Sequence, residues 1–449
     1  MRTVDASWWF LAVASWGAAW TLVGLRPPQR PPFLLGISFF TAWLTTELAV
    51  IHLAWQVAAT VLFVRAGALE AWPGWLALGI CIASWAGLVA VVRGARATDR
   101  AFAAALDEAL GDGWAAAVDA RLAPPVRRFE WHRVLLPLWM RRRGVQRVRN
   151  LTYVEGSRSR RHRLDVYRHP AAPPGAPVML QIHGGAWVIG NKDQQALPLV
   201  NHLASRGWVV VAVNYRLSPR ATWPDHLVDC KRALAWIRAH VAEYGGDPGW
   251  VAVTGGSAGG HLATLMGLTA NDPRFQPGFE HVDTTVRAIV PFYAVFDWTN
   301  RAGIRGPRDP MRRFLERYVV KRRYEDAPEV FAAASPVHRV HRDAPPALVV
   351  HGSADVLAPI AEARAFVRAL RAVAARPVVY VELSGAQHAF EIFNSIRTLH
   401  TIAGVDRFLT WVLTVDPPRA LAAPAAAGAA GAADPPAAGR PPAPAPSAP

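Results

Sequence analysis

Between residues 150 and 415, six short β-branched and apolar runs alternate with longer helical stretches, and this alternation is the strongest constraint on the fold. The runs are PVMLQIH (177–183), WVVVAVNY (208–215), WVAVTG (250–255), RAIVPFYA (287–294), PALVVHG (346–352) and PVVYVEL (377–383). Each is close to continuously apolar, the signature of a strand buried on both faces, and such strands belong to a parallel sheet with helices above and below. The intervening stretches, such as 226–241 and 360–375, are rich in Ala, Leu and Arg and long enough to be crossover helices. The expected class is α/β, with a mostly parallel sheet covered by helices on both faces.

The first 96 residues follow another pattern. Residues 7–25 and 71–92 carry no charge, and 33–64 is interrupted only by Glu47 and His52. Each run is long enough to cross an apolar layer of about 30 Å as a helix, so 1–96 is expected to be a membrane region of about three transmembrane helices. The middle stretch suits one long or tilted span better than two short ones. The first run is longer than the apolar core of a cleaved signal peptide and two more follow, which favours a retained anchor. Nine of the 19 tryptophans precede residue 100, in keeping with anchors at membrane–water boundaries. Glu47 and His52 fit facing neighbouring helices or an interface better than lining a transport path.

A formal charge of +16 invites a nucleic-acid partner, but its placement argues against one. Residues 121–163 hold 13 arginines against Glu130 and Glu155, directly after the apolar region. A basic stretch there (97–149 as a juxtamembrane segment) fits attraction to anionic lipid head groups. With three spans, Arg26, Arg30, Arg93, Arg96 and Arg100 share one side against Arg2 and Arg65, which places the large domain in the cytoplasm. Cys81 and Cys230 are the only cysteines and make no disulfide framework. Thr98 is placed to cap a helix over 98–122, expected as a plain connector. From 416 to 449 the chain is nearly all Ala, Pro and Gly and is expected to be disordered.

Within the β-rich region, VAVTGGSAGGHLA (251–263) sets one serine among four glycines. A Walker loop would need a lysine where His261 stands, and a dinucleotide fingerprint would need glycine where Ser257 stands. The motif met is G-x-S-x-G, over Gly255 to Gly259, between a strand and a helix. A serine hydroxyl is a weak nucleophile near neutral pH, so it needs a base and a carboxylate to orient that base. ALVVHGSADVLAP supplies Asp355 after one later strand and VVYVELSGAQHAF supplies His388 after the next, in the chain order Ser, acid, His. Asp297 lies one strand too early, Asp247 reads as turn chemistry, His338 and His341 as solvated, and His261 as packing. An oxyanion needs aimed N–H donors. The glycine-rich turn QIHGGAW (181–187) can offer them, with the N–H of Ala258 as a further one, while His183 braces the loop.

Together, His183-Gly184-Gly185-Ala186-Trp187, Asn214-Tyr215-Arg216-Leu217-Ser218-Pro219, Gly255 to Gly260, Asp355 and His388 resemble the hormone-sensitive-lipase-like branch of the α/β-hydrolases, over about residues 150–412. The resemblance implies an α/β-hydrolase domain (150–415), a triad of Ser257, Asp355 and His388, and oxyanion donors at Gly185, Ala186 and Ala258, with Gly184 shaping the loop. Gly256 stands where many members carry an acid, and the oxyanion motif ends in Ala-Trp; both features also suit arylformamidase and feruloyl-esterase-like neighbours. A three-span anchor before such a domain resembles membrane-bound actinobacterial esterases. The expected function is a membrane-anchored serine carboxylesterase or lipase acting on acyl or lipid esters, with no metal or organic cofactor implied. An amidase using the same triad and a non-catalytic binding protein are the alternatives. Residues 298–330, with 123–150, are expected to form a lid or cap.

Overall fold

The computed structural model describes residues 2–28, 35–118, 122 and 129–418; the Ala/Pro-rich stretch from 419 and residues 123–128 of the expected cap lie outside the described residues. Five helices come first: α1 (Arg2–Leu25), α2 (Leu35–Glu47), α3 (Ala49–Arg65), α4 (Trp72–Arg96) and α5 (Thr98–Leu110). Two one-turn pieces, α6 (Trp114–Ala117) and α7 (Trp131–Leu135), lead into an eight-stranded sheet.

The sheet comprises β1 (Gln146–Thr152), β2 (Arg163–Arg168), β3 (Ala176–Ile182), β4 (Val209–Val213), β5 (Gly246–Gly256), β6 (Ala288–Phe292), β7 (Ala347–Gly352) and β8 (Val378–Leu383). Their order is β1-β2-β4-β3-β5-β6-β7-β8. β1 and β2 run antiparallel at one edge, and every pairing from β4–β3 to β7–β8 is parallel. The six expected runs are the six parallel strands. The two antiparallel strands were not anticipated: β1, QRVRNLT, is an edge strand and carries arginines because an edge has solvent beside it, while β2, RLDVYR, is short, with its arginines at its two ends.

Alternate residues of each strand feed two cores, as a period of two requires. Leu180, Val209, Val211 and Val213 join one core with α9 (Asp225–His240), α10 (Ala258–Leu268) and α13 (Ile360–Arg371). Met179, Val210 and Ala212 join the other with α8 (Leu197–Ser205), α14 (Ile396–Val415) and α5. At about 1.5–3 kcal/mol for each buried Val or Leu, these two layers hold the sheet rigid under the loops it carries. Helix α5 is therefore more than a connector. Its Phe102 and Leu106 are fully buried in the second core, and Thr98 lies inside the helix, not at its cap. Gly111 and Gly113, both with left-handed φ, end it before residue 122. Residues 298–330 include α11 (Pro310–Phe314), and α12 (Pro328–Ala333) follows on their heels. The segment is fastened to the first core through Met311, Phe314 and Tyr318, and through ion pairs from Arg305 to Asp309 and Glu362.

In the N-terminal region α1 and α4 run side by side in the same direction. Ser7 donates to the Ala68 carbonyl just before α4 starts, Trp8 meets Trp72 edge-on, and Thr21 bonds Ser84 at 2.8 Å. Helix α3 runs the opposite way: Gln56 reaches the Gly17 carbonyl, while Phe63 stacks on Phe10 at 5.4 Å. Two helices, Ala6–Leu25 and Trp72–Leu110, are long and apolar enough to cross a membrane; the pair Gly36–Glu47 and Ala49–Arg65 is bent by 83°. The apolar stretch 33–64 is thus two helices with a sharp bend, not one straight helix. The bend falls next to Glu47; α3 lies against α1 and α4, and α2 packs on α1. At the bend Glu47 is buried against Arg397 of α14, 3.0 Å away, where α2 meets the hydrolase domain.

Candidate active site

Four loops leave the C-terminal ends of parallel strands and converge on one edge of the sheet, where open α/β sheets collect ligand-binding groups. The loop after β3 carries Gly184 to Trp187, the turn after β5 carries Ser257, and the loops after β7 and β8 carry Asp355 and His388.

Ser257 has φ 56° and ψ −122°, a conformation unusual for a residue with a Cβ, and it forms the joint between β5 and α10. Its N–H donates to the Phe292 carbonyl at 2.9 Å, and its carbonyl accepts the His261 N–H at 2.9 Å, so neighbouring structure enforces the turn. The glycines permit close approach. A Cβ on Gly259 would lie 2.6 Å from the His183 carbonyl oxygen, and one on Gly184 would lie 2.6 Å from the Gly256 oxygen and 3.1 Å from the Ser257 Cβ. The oxyanion turn and the serine turn therefore touch backbone to backbone.

The turn after β3 has three successive residues with positive φ: Gly185 (114°), Ala186 (50°) and Trp187 (62°). Val188 and Ile189 N–H groups close it onto the Gly185 carbonyl. Among the described residues, the N–H groups of Gly185, Ala186 and Ala258 meet no acceptor. That of Ala258 also lies at the positive end of α10. Gly184 differs, because its N–H donates to Gln195 Oε1 at 2.6 Å and so serves the shape of the loop. His183 is fully buried, stacked on Tyr215 at 4.4 Å and bonded to the Gly184 carbonyl, and burial pulls its pKa down to about 4. It is a neutral brace.

Asp355 and His388 are bonded directly: His388 Nδ1 lies 2.7 Å from Asp355 Oδ2. The other carboxylate oxygen accepts the N–H groups of Leu357 and Ala358, both at 2.8 Å. Burial opposes ionisation of Asp355, but the imidazoles of His388 and His351 hold its carboxyl well below the usual range. Gln387 ties the two loops together by accepting the N–H groups of Val356 and His388, each at 2.9 Å.

Tyr293 links this pair to the serine turn. It follows β6 with φ 35°, its ring lies 4.5 Å from that of His388, and a Cβ on Gly256 would come within 2.7 Å of its Cζ. Glycine precedes the serine because the tyrosine ring occupies the space where an acidic side chain would begin. The Tyr293 hydroxyl donates to Glu391, a second buried carboxyl beside the histidine, which burial pushes up to about 7. Neither Tyr293 nor Glu391, nor Gln195, was expected from the sequence; the only hint was the position of Tyr293 directly after β6.

The rival residues are accounted for elsewhere. Asp297 accepts from Thr299 and Arg301 in a turn, and Asp247 from Gly249. His338 and His341 are exposed. His261 accepts from Trp187 Nε1, bonds the Ala334 carbonyl and stacks on Trp298; burial lowers its pKa to about 3.

Comparison with known proteins agrees with this architecture. The BD-FAE family model matches residues 164–370. Over 422 residues the chain is 43% identical to the probable carboxylic ester hydrolase LipM of Mycobacterium tuberculosis, covering 90% of this chain and 93% of LipM. Esterase LipQ of the same organism is 46% identical over 270 residues, covering 60% of this chain and 63% of LipQ. A solved thermophilic esterase from the Planctomycetes species Thermogutta terrifontis is 25% identical with a TM-score of 0.50, covering 63% of this chain and 96% of that one. The match to LipM, with the sheet order and the loops gathered at its edge, shows that the chain belongs to the carboxylic ester hydrolases of the α/β-hydrolase fold.

Proposed function

We propose that the protein is a membrane-anchored serine carboxylesterase working through an acyl-enzyme. Ser257 Oγ attacks the ester carbonyl while His388 takes its proton at Nε2, and Asp355, bonded to Nδ1, fixes the tautomer and balances the imidazolium. The oxyanion is received by the N–H groups of Gly185, Ala186 and Ala258, whose fixed directions cost no reorganisation as charge develops. His388 then protonates the departing alcohol, and water repeats the sequence to release the acid. The observation that carries this reading is the Asp355–His388 bond of 2.7 Å on the same sheet edge as the strained Ser257.

The anchor is read as three crossings, by α1, α3 and α4, with α2 lying crosswise at the end next to the hydrolase domain. Trp8, Trp9, Trp16, Leu62, Trp75 and Ile82 point outward from these helices, an apolar girdle that suits lipid. The arginine distribution then favours a cytoplasmic catalytic domain, and the nearby bilayer favours lipid or other acyl esters as substrates. Exposed Trp131, Leu135, Leu136, Leu138 and Trp139 form an apolar face within the basic segment, suited to resting on the same surface. Ser257→Ala in the purified full-length protein is expected to abolish hydrolysis of a short p-nitrophenyl ester. Undiminished turnover would refute the site.

A further inference from the structure

The loop that carries His388 joins β8 to α14, running from Leu383 to Ile396. The hydrolase domain alone does not hold it. Helix α2 lies against it, although more than 340 residues separate the two in sequence. Trp43 Nε1 donates to the Ala389 carbonyl at 2.9 Å, and the Trp43 ring stacks on Phe393 at 4.6 Å. Phe39, one turn earlier, stacks on Trp43 and meets the His388 ring edge-on at 6.2 Å. At the end of α2, Glu47 accepts from Ser395 Oγ at 2.7 Å and from Arg397 Nε at 3.0 Å. Arg397, 1% exposed, uses a further nitrogen to bind the Ser384 carbonyl at 2.8 Å. Both ends of the loop and its middle are thus tied, directly or through Arg397, to one helix of the N-terminal region.

The middle tie bears on the base itself. Ala389, the residue after His388, has φ 60°, a left-handed conformation that strains an L-residue. Its carbonyl is the acceptor for Trp43. The Ile392 N–H bonds the same carbonyl at 3.3 Å; with the stronger Trp43 donor removed, Ala389 is expected to relax toward negative φ and turn the adjoining His388 peptide away from Asp355.

We propose that α2 is a working part of the active site, with Trp43 and Glu47 as positioning residues that hold the His388 loop in its productive arrangement. The inference rests on the serine-hydrolase reading above. It makes the N-terminal helices more than an anchor: the site is competent only when they are docked on the hydrolase domain.

The test is Trp43→Phe in the full-length protein, which keeps an aromatic ring on Phe393 and removes only the N–H. The expected result is a kcat lower by about tenfold, the rate equivalent of one hydrogen bond, with KM for a short ester within about twofold. The acidic limb of the kcat profile moves to lower pH, because a loosened imidazole is less stabilised as a cation by Asp355. Adding Ala389→Gly to Trp43→Phe is expected to restore much of the lost kcat, since glycine holds φ 60° without penalty. Ile37→Ala, on the exposed face of α2, is the control for general weakening of the helix and is expected to retain wild-type activity. Unchanged kcat and pH profile in Trp43→Phe, or an equal loss in Ile37→Ala, would overturn the proposal. If Trp43→Phe does not fold, Glu47→Gln gives the same readouts, since it keeps the side-chain size and removes the charge facing Arg397. A dead Ser257→Ala beside an unaffected Trp43→Phe would remove only the positioning role, whereas an active Ser257→Ala would remove the catalytic reading itself.

Discussion

Replacing Asp355 by asparagine isolates the one contact on which the assigned base depends. The carboxylate uses its two oxygens differently: Oδ1 accepts two backbone N–H groups at 2.8 Å, and Oδ2 faces His388 Nδ1 at 2.7 Å. In Asp355→Asn the amide oxygen must stay with the two N–H donors, so the NH2 group turns toward the imidazole. His388 then answers with a lone pair on Nδ1 and carries its proton on Nε2, where it cannot accept one from Ser257. Relative to the wild type, the productive tautomer then lacks the charge-assisted Asp355–His388 hydrogen bond, about 1.5–3 kcal/mol, and sets two donors against each other, for about 4–5 kcal/mol in all. That corresponds to a kcat loss of about 10³–10⁴-fold, in line with the effect of the same change in serine proteases. The assay is steady-state hydrolysis of p-nitrophenyl butyrate from pH 5 to 9, with a thermal melt to confirm folding. Because the wild-type carboxyl is held well below the ordinary range, it stays ionised across this window, and its contribution to stability is lost only in stronger acid. Glu391 is the competing carboxylate near His388. A loss under about tenfold in Asp355→Asn, with a far larger one in Glu391→Gln, would transfer the orienting role to Glu391 and refute the assignment.

Two further perturbations probe the packing behind the triad. Gly256→Ala places a methyl group 2.7 Å from Tyr293 Cζ, and that ring cannot retreat because His388 lies 4.5 Å behind it. A destabilisation of about 1–3 kcal/mol and a fall in kcat are expected from overpacking at this point, and a variant as stable and active as the wild type would show that the ring moves freely. Glu391 titrates near 7 in the folded protein and near the ordinary carboxyl value when unfolded, so folding takes up a proton between them and stability falls as pH rises through that window. The full drop is about 3 kcal/mol; Glu391→Gln is expected to flatten the dependence of melting temperature on pH between 5 and 8, and an unaltered slope would rule out this carboxyl as its source.

The six parallel strands were legible because burial on both faces leaves nothing but apolar, β-branched residues, a pattern few other structures demand. β1 was not, since an edge strand such as QRVRNLT has one side in solvent and reads like a loop, and neither was β2, whose RLDVYR is too short and too charged to stand out. Ser257, Asp355 and His388 could be singled out as candidates because each follows a strand in the chain order Ser, acid, His, and the structure brings Asp355 and His388 to 2.7 Å. Tyr293 and Glu391 could not, because their positions matter through the gap at Gly256 and the ring of His388, and neither gap nor ring orientation is written in spacing. The glycine-rich motif after β3 does lie against the Ser257 turn, yet only the structure shows Gly184 giving its N–H to Gln195.

The apolar stretch 33–64 carries the sharpest lesson, because hydropathy alone gives its two halves the same reading. A tryptophan that faces lipid and one that packs on a loop contribute equally to such an average. Trp43 is of the second kind: its ring rests on Phe393 and its N–H is aimed at Ala389. The discriminating residue was Glu47. An ionised carboxylate inside a bilayer is costly unless paired, so a lone one within an apolar run marks either a partner within the membrane or the point where the run leaves it. Arg397 decides between them, lying fully buried in the hydrolase domain and bonded to both Glu47 and the loop of the catalytic histidine. The one acidic residue in the apolar run is therefore a residue that joins α2 to the hydrolase domain, beside the Trp43 contact to Ala389, and on the proposal above the helix it ends serves the active site.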